Sequence, residues 1–144
     1  MQIRPLSNTD ADAWLALRAA MWPDLPHAQL HDELMQIAAD ENQVAIGAFD
    51  GSALIAFVEL SLHPHAVGCG TGPVAHLEAW YVNAGYRQAG VGRHLVAAGE
   101  GWARAIGCRE VASDTWLDNH AGAAAHCALG LTEAERLIHY RKPL

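Results

Sequence analysis

The sequence predicts a mixed α/β domain built on a mostly antiparallel sheet. Two apolar strand candidates, 43–49 and 53–62, are joined by Asp50-Gly51, a strong hairpin signal. Later strand candidates alternate with helical patterns, which implies crossovers and parallel pairing in that part of the sheet. The chain has 144 residues, 51% of them hydrophobic and 17% charged, enough to bury one core without staples and too apolar for disorder.

The predicted elements run β-α-α-β-β-β-α-β-α-β within a single domain, 1–144. Gln2 to Pro5 is a short strand carrying Ile3. Ser7 to Thr9 offers helix caps, and Thr9 with Asp12 resembles a capping box. Trp14, Leu17, Arg18 and Met21 follow at helical spacing, and Pro23 stops that helix. Pro26 opens the next, with Leu30, Leu34 and Ile37 on its buried face. After the hairpin, 63–73 reads as a loop and Val74 to Val82 as a third long strand. Asn83 to Gln88 is polar and turn-like. Val91, Leu95, Ala98, Trp102 and Ile106 mark a long helix closed by Gly107. Glu110 to Asp114 is a short strand, Asn119 to Leu129 an alanine-rich helix, and Glu133 to Arg141 a final strand with charges on one face.

Nine basic against 16 acidic residues give a net charge of −7. Phosphate affinity needs clustered Lys and Arg, so nucleic-acid binding is excluded as an expectation. The acidic balance suits a cationic ligand, and equally serves solubility alone. Cys69, Cys108 and Cys127 form no CxxC pair and suggest a reducing compartment without disulfide or zinc framework. No apolar leader or membrane-length run is present, so a cytoplasmic protein is expected.

The most specific local feature is Arg87-Gln88-Ala89-Gly90-Val91-Gly92-Arg93, between a strand and a helix. Glycines at 90 and 92 clear side chains from a close approach. The amides from about Gln88 to Arg93 are the unpaired donors of a helix start, with the positive end of the helix dipole behind them. Arg87 and Arg93 add positive charge, and a pyrophosphate suits this geometry. Two glycines at a helix start also make an ordinary tight turn. Neither a Walker loop nor the dinucleotide fingerprint is present.

A strand, Arg-x-x-Gly-x-Gly and a long helix resemble the acetyl-CoA-binding motif of the GCN5-related N-acetyltransferases (GNAT). The resemblance implies the GNAT fold, with acetyl-CoA as acetyl donor and no metal. The backbone of Arg87, Gln88, Ala89, Gly90, Val91, Gly92 and Arg93 would hold the pyrophosphate. The strand at Trp80, Tyr81 and Val82 would splay from its parallel neighbour to admit the pantetheine, which Asn119 would contact.

Leu17-Arg18-Ala19-Ala20-Met21-Trp22-Pro23, Leu77-Glu78-Ala79-Trp80-Tyr81-Val82, Gly107-Cys108-Arg109-Glu110-Val111-Ala112-Ser113-Asp114-Thr115 and His126-Cys127-Ala128-Leu129-Gly130 resemble segments of the aminoglycoside 6′-N-acetyltransferases. By position, Trp22, His65, Glu78, Asp114 and Glu135 would line a pocket for a polycationic aminoglycoside. Carboxylates bind ammonium and hydroxyl groups, and an indole face meets a cation or a sugar. Each also has an ordinary reading: Glu78 as a solvated strand residue, Asp114 as a strand-end cap, Glu135 as a partner of Arg136, Trp22 as core. Glu78 is the first candidate for the base and Asp114 the second. An N–H near Tyr81 or Val82 would support the thioester oxygen.

This chain departs from the pattern with His65 in a position often held by Tyr, with Leu25 and Leu131, and with His126 where many GNAT enzymes carry an acidic Tyr. His27/His31 and His63/His65 are spaced for metal ligation, but no third ligand completes either pair in sequence. A homodimer is expected from the resemblance, with the final strand near its boundary. Acetylation of a polyamine or protein amine, or acyl-CoA binding without catalysis, remain the alternatives to a role in antibiotic resistance.

Overall fold

The computed structural model describes residues 1–144. Its five strands are β1 (Gln2–Pro5), β2 (Gln43–Asp50), β3 (Ala53–His63), β4 (Val74–Val82) and β5 (Val111–Ser113). They lie in the order β1-β2-β3-β4-β5, antiparallel except for the parallel β4–β5 pair. The helices are α1 (Ala11–Met21), α2 (His27–Ala39), α3 (Val91–Ala105) and α4 (His120–Ala128). No helix is long and apolar enough to cross a membrane.

Strand alternation sorts the core onto two faces. On one, Ala56, Val58 and Leu60 of β3 pack with Val91 and Leu95 of α3. On the other, Phe57 packs with Trp14, Leu17 and Leu34 of α1 and α2. Gly99 lets α3 approach, because a Cβ there would meet Leu60 at 2.8 Å. The helix start after β1 uses a cap earlier than Thr9/Asp12. Asp10 accepts from the Ser7 N–H at 3.0 Å and is gripped by Arg4 at 2.7 Å.

The expected final strand at Glu133 to Arg141 is corrected. Residues 131–144 form no regular element and are almost wholly exposed. Alternation in a sequence specifies an extended chain, whereas a strand also needs a hydrogen-bonding neighbour. No strand of this chain pairs with the segment.

Two irregularities of β4 place the site. Glu59 pairs with Ala79 and Leu60 with Leu77, so Glu78 is the extra residue of a β-bulge. A bulge re-aims side chains. It leaves Glu78 and Ala79, though adjacent, both on the α1/α2 side, where Glu78 reaches a cavity and Ala79 joins the core. In addition, β5 pairs only with Ala75 to Leu77, while β4 continues to Val82. The parallel edge of β4 is therefore open from Glu78 onward.

Candidate active site

The open edge of β4 leads into the glycine turn. Gln88 has φ 61° and Gly90 φ 81°, which turns the chain sharply before α3. The amides of Gln88, Ala89 and Gly90 donate to no group of the protein. Those of Val91, Gly92 and Arg93 are first-turn donors of α3, which have no intrahelical acceptor. Consecutive free N–H groups at the positive end of a fifteen-residue helix fit a diphosphate.

Gly92 has a second reason beside the expected one. A Cβ there would strike the Trp80 ring at 2.6 Å, so Gly92 makes room for an indole beneath the turn. Trp80 thus supports the turn from the α3 side of the sheet. Arg87 and Arg93 also brace it: Arg87 Nε donates to the Val82 carbonyl at 2.9 Å, and Arg93 Nη2 to the Ala128 carbonyl at 3.0 Å. Asn119 caps α4, accepting from the Gly122 N–H at 2.9 Å and donating to Thr115 at 3.1 Å. At the point where β4 and β5 part, Ser113 Oγ lies 2.8 Å from His126 Nε2, and His126 Nδ1 lies 2.6 Å from the Gly122 carbonyl. Both ring nitrogens of His126 are thereby engaged, and the ring stands edge-on to Trp80.

On the opposite face, Trp22 and Glu78 border one cavity of about 280 Å³ with Glu33, Gln36 and Gln43. Its floor is an ion-pair network that the sequence reading missed. Arg18 forms two contacts with Glu59, at 2.8 and 2.9 Å, and also reaches Glu33. Trp14 Nε1 donates to Glu59 at 2.8 Å, and the Arg18 guanidinium lies over the Trp22 ring at 4.9 Å. Arg18 and Glu59 are 2% and 4% exposed. Burial pushes the Glu59 carboxyl above its ordinary range, opposed by Arg18 and the Trp14 N–H. A lone charge in the apolar run of β3 was the available signal.

Glu78 sits in a different environment. His63 Nε2 donates to its Oε1 at 2.7 Å, the Ser61 hydroxyl donates to the same oxygen, and His76 Nδ1 lies 3.2 Å from Oε2. Partial burial works to raise the Glu78 pKa, but these contacts outweigh it and hold it at about 2. His76 is pushed up by the same carboxylate despite burial. Asp114, largely exposed, approaches His76 Nε2 at 3.8 Å, so His76 links the two candidate acids.

His65 and Glu135 are exposed and do not border the Trp22–Glu78 cavity. Glu135 follows Ala134, which packs on Gly68 of the loop that carries His65. Arg136 pairs with Glu133 rather than with Glu135.

The model of the acetyltransferase (GNAT) family matches residues 11–131. The chain belongs to the GNAT family. Among its relatives, the aminoglycoside N(6′)-acetyltransferase type 1 of Klebsiella aerogenes is 43% identical over 99% of this chain and 96% of its own length. The enzyme of that name from Salmonella typhimurium is 41% identical over 99% of both chains. The solved structure of AAC(6′)-Iy with the bisubstrate analog CoA-S-monomethyl-acetylneamine superposes with a TM-score of 0.94. It is 35% identical, over 99% of this chain and 98% of that one. The two irregularities of β4 lie inside the stretch matched to the GNAT family.

Proposed function

We infer that this chain is an acetyl-CoA-dependent N-acetyltransferase that acetylates the 6′-amino group of aminoglycosides by direct attack of the amine on the thioester. The observation that carries this reading is the bulged Glu78, which shares a cavity with Trp22 on a strand whose other edge opens toward the diphosphate turn. The full-length relatives named for this activity support it.

Acetyl-CoA supplies the activated acetyl group. The free amides of Gln88 to Arg93 hold its diphosphate, with Arg87 and Arg93 adding charge at the rim. The open edge at Trp80, Tyr81 and Val82 receives the pantetheine, and an N–H of Tyr81 or Val82 donates to the thioester oxygen. Asn119 holds the start of α4 beside that arm.

The acceptor enters as a polycation. Glu78, ionised at neutral pH, binds the ammonium at the reacting position, and Trp22 offers its indole face. Asp114 adds a carboxylate beyond His76, whereas His65 and Glu135 lie outside this cavity. An alkyl ammonium has a pKa near 10.4, so the amine must lose a proton before it attacks. Glu78 takes that proton directly or through water. As the amide C–N bond forms the thioester C–S bond breaks, and CoA leaves as a thiolate, a good leaving group because its thiol pKa is near 8.5. Transfer removes one positive charge from the drug, which fits a role in resistance in the cytoplasm.

A homodimer completes the proposal. Leu137, Ile138 and Tyr140 of the unpaired C-terminal segment are 50%, 75% and 89% exposed, and a second copy would cover them. Light scattering reads the mass directly; a monomer at micromolar concentration contradicts this part.

The test of the activity is release of free CoA with a panel of acceptors. An aminoglycoside with a 6′-amine should react well above one with a 6′-hydroxyl, above spermidine and above a lysine peptide. Equal rates with both aminoglycosides would remove the 6′ assignment, and preference for spermidine or peptide would replace the substrate class.

A further inference from the structure

The side chains around Glu78 form a second kind of site. Ser61 and His63 project from β3, His76 and Glu78 from β4, all on one face of two paired strands. The ligand atoms of His63, His76 and Glu78 lie within 4.8 Å of one another. His63 Nε2 is 2.7 Å from one carboxylate oxygen and His76 Nδ1 is 3.2 Å from the other. Ligands about 2.0–2.2 Å from a tetrahedral ion stand at comparable separations from one another, so small side-chain shifts suffice to admit one.

His76 strengthens the case. Its Nδ1 is buried and makes no well-angled hydrogen bond, being held only by the 3.2 Å charge contact with Glu78. A buried polar atom so poorly satisfied is open to a better partner. Its other nitrogen faces Asp114 at 3.8 Å. A carboxylate behind one imidazole nitrogen, with the other turned to the ligand, is how metal-binding histidines are oriented. The pair His27 and His31 on α2 gathers no third ligand, so this arrangement is not a general consequence of nine histidines.

We propose that His63, His76 and Glu78 bind a divalent transition-metal ion, Zn²⁺ by ligand type, and that the bound ion blocks the acceptor side of the reaction. Two imidazole nitrogens and one carboxylate select Zn²⁺ or its neighbours over Ca²⁺ and Mg²⁺, which take oxygen ligands. All three ligands lie on paired strands, so the set is held without loop ordering. The ion is an inhibitor here rather than a cofactor. It occupies the Glu78 oxygens that receive the substrate ammonium, a consequence that rests on the function proposed above. Metal binding itself does not depend on that reading.

The experiment is a titration of the full chain, free of both substrates, with Zn²⁺ by calorimetry and with Co²⁺ by visible absorption. One ion per chain is expected, with nitrogen and oxygen ligation and no cobalt–thiolate band. His63→Ala and His76→Phe should each weaken binding at least about tenfold, the lower end of what even supporting contacts contribute. His27→Ala should leave it unchanged. His63 is half-exposed, so its variant keeps the test valid should His76→Phe misfold. Binding as tight in His63→Ala as in the unsubstituted chain, or a thiolate band placing the ion at Cys69 or Cys127, overturns the site. A kinetic arm follows: Zn²⁺ should raise KM for the aminoglycoside, leave KM for acetyl-CoA unchanged, and be reversed by EDTA. One ion bound through the histidines without effect on the acceptor KM would uphold the site and overturn both the blockade and the role given to Glu78.

Discussion

Glu59 and Glu78 hang from neighbouring strands on the same face of the sheet and border the same cavity, yet their surroundings pull them apart. Glu59 is 4% exposed and locked between Arg18 and Trp14. Glu78 stands on a bulge, partly open to solvent, and its partners are a hydroxyl and two histidines. A guanidinium cannot give up its charge or leave without exposing a buried carboxylate. The partners of Glu78 are neutral or titratable groups near the surface and can be displaced by an incoming cation. The bulge thus separates a structural acid from the acid proposed to do the chemistry, both on a single sheet face.

Glu78→Gln should lower turnover about 10²- to 10⁴-fold, the usual contribution of a positioned base, as read from initial rates of CoA release. Its unfolding free energy should change less than that of Arg18→Met, because the lost hydrogen bonds are near the surface. The structural acid should behave in the opposite way. Arg18→Met leaves Glu59 buried and unpaired, and denaturant unfolding should show a loss of about 3–5 kcal/mol.

Gly92→Ala acts on the diphosphate turn. The added methyl group meets the Trp80 ring, so overpacking should destabilise the protein by about 1–3 kcal/mol. Because the same movement disturbs the free amides of the turn, acetyl-CoA affinity should fall while a purely stabilising substitution elsewhere does not restore it. Calorimetry on the folded variant reads that loss directly.

The smallest effect concerns acid. The Glu78 pKa is lowered on folding, so its contribution to stability is present above its ordinary value of 4.5 and is lost as pH falls toward about 2. The Glu59 pKa is raised, so its contribution is present at low pH and is lost as pH rises through its folded value. Stability differences from Glu78→Gln and Glu59→Gln, measured by denaturant unfolding between about pH 2 and about pH 6, should therefore change in opposite directions with pH.

Much of this arrangement was legible in the residues. The hairpin at Asp50-Gly51, the helical spacing from Val91 to Trp102 and the strand before the glycine turn all depend on local pattern, and the structure has them. The splay expected beside Trp80 to Val82 is present in the short β4–β5 ladder. What was not legible depends on pairing between distant segments. The bulge at Glu78 exists only as a slip between β3 and β4, and no single segment encodes it. His63 was weighed with its neighbour His65, whereas its partners stand across the ladder on β4. The packing of Gly92 on Trp80, twelve residues earlier, is visible only in space. The C-terminal strand failed for the same reason: an extended segment has no strand character without a partner edge.

The most direct test of the division of labour is a pair of calorimetric titrations on Glu78→Gln, one with acetyl-CoA and one with a 6′-amino aminoglycoside. The diphosphate turn is untouched, so acetyl-CoA should bind within about twofold of the unsubstituted chain. The aminoglycoside should weaken at least about tenfold, equivalent to 1.4 kcal/mol or more. Undiminished aminoglycoside affinity, or a loss confined to acetyl-CoA, would contradict the assignment of Glu78 to the acceptor.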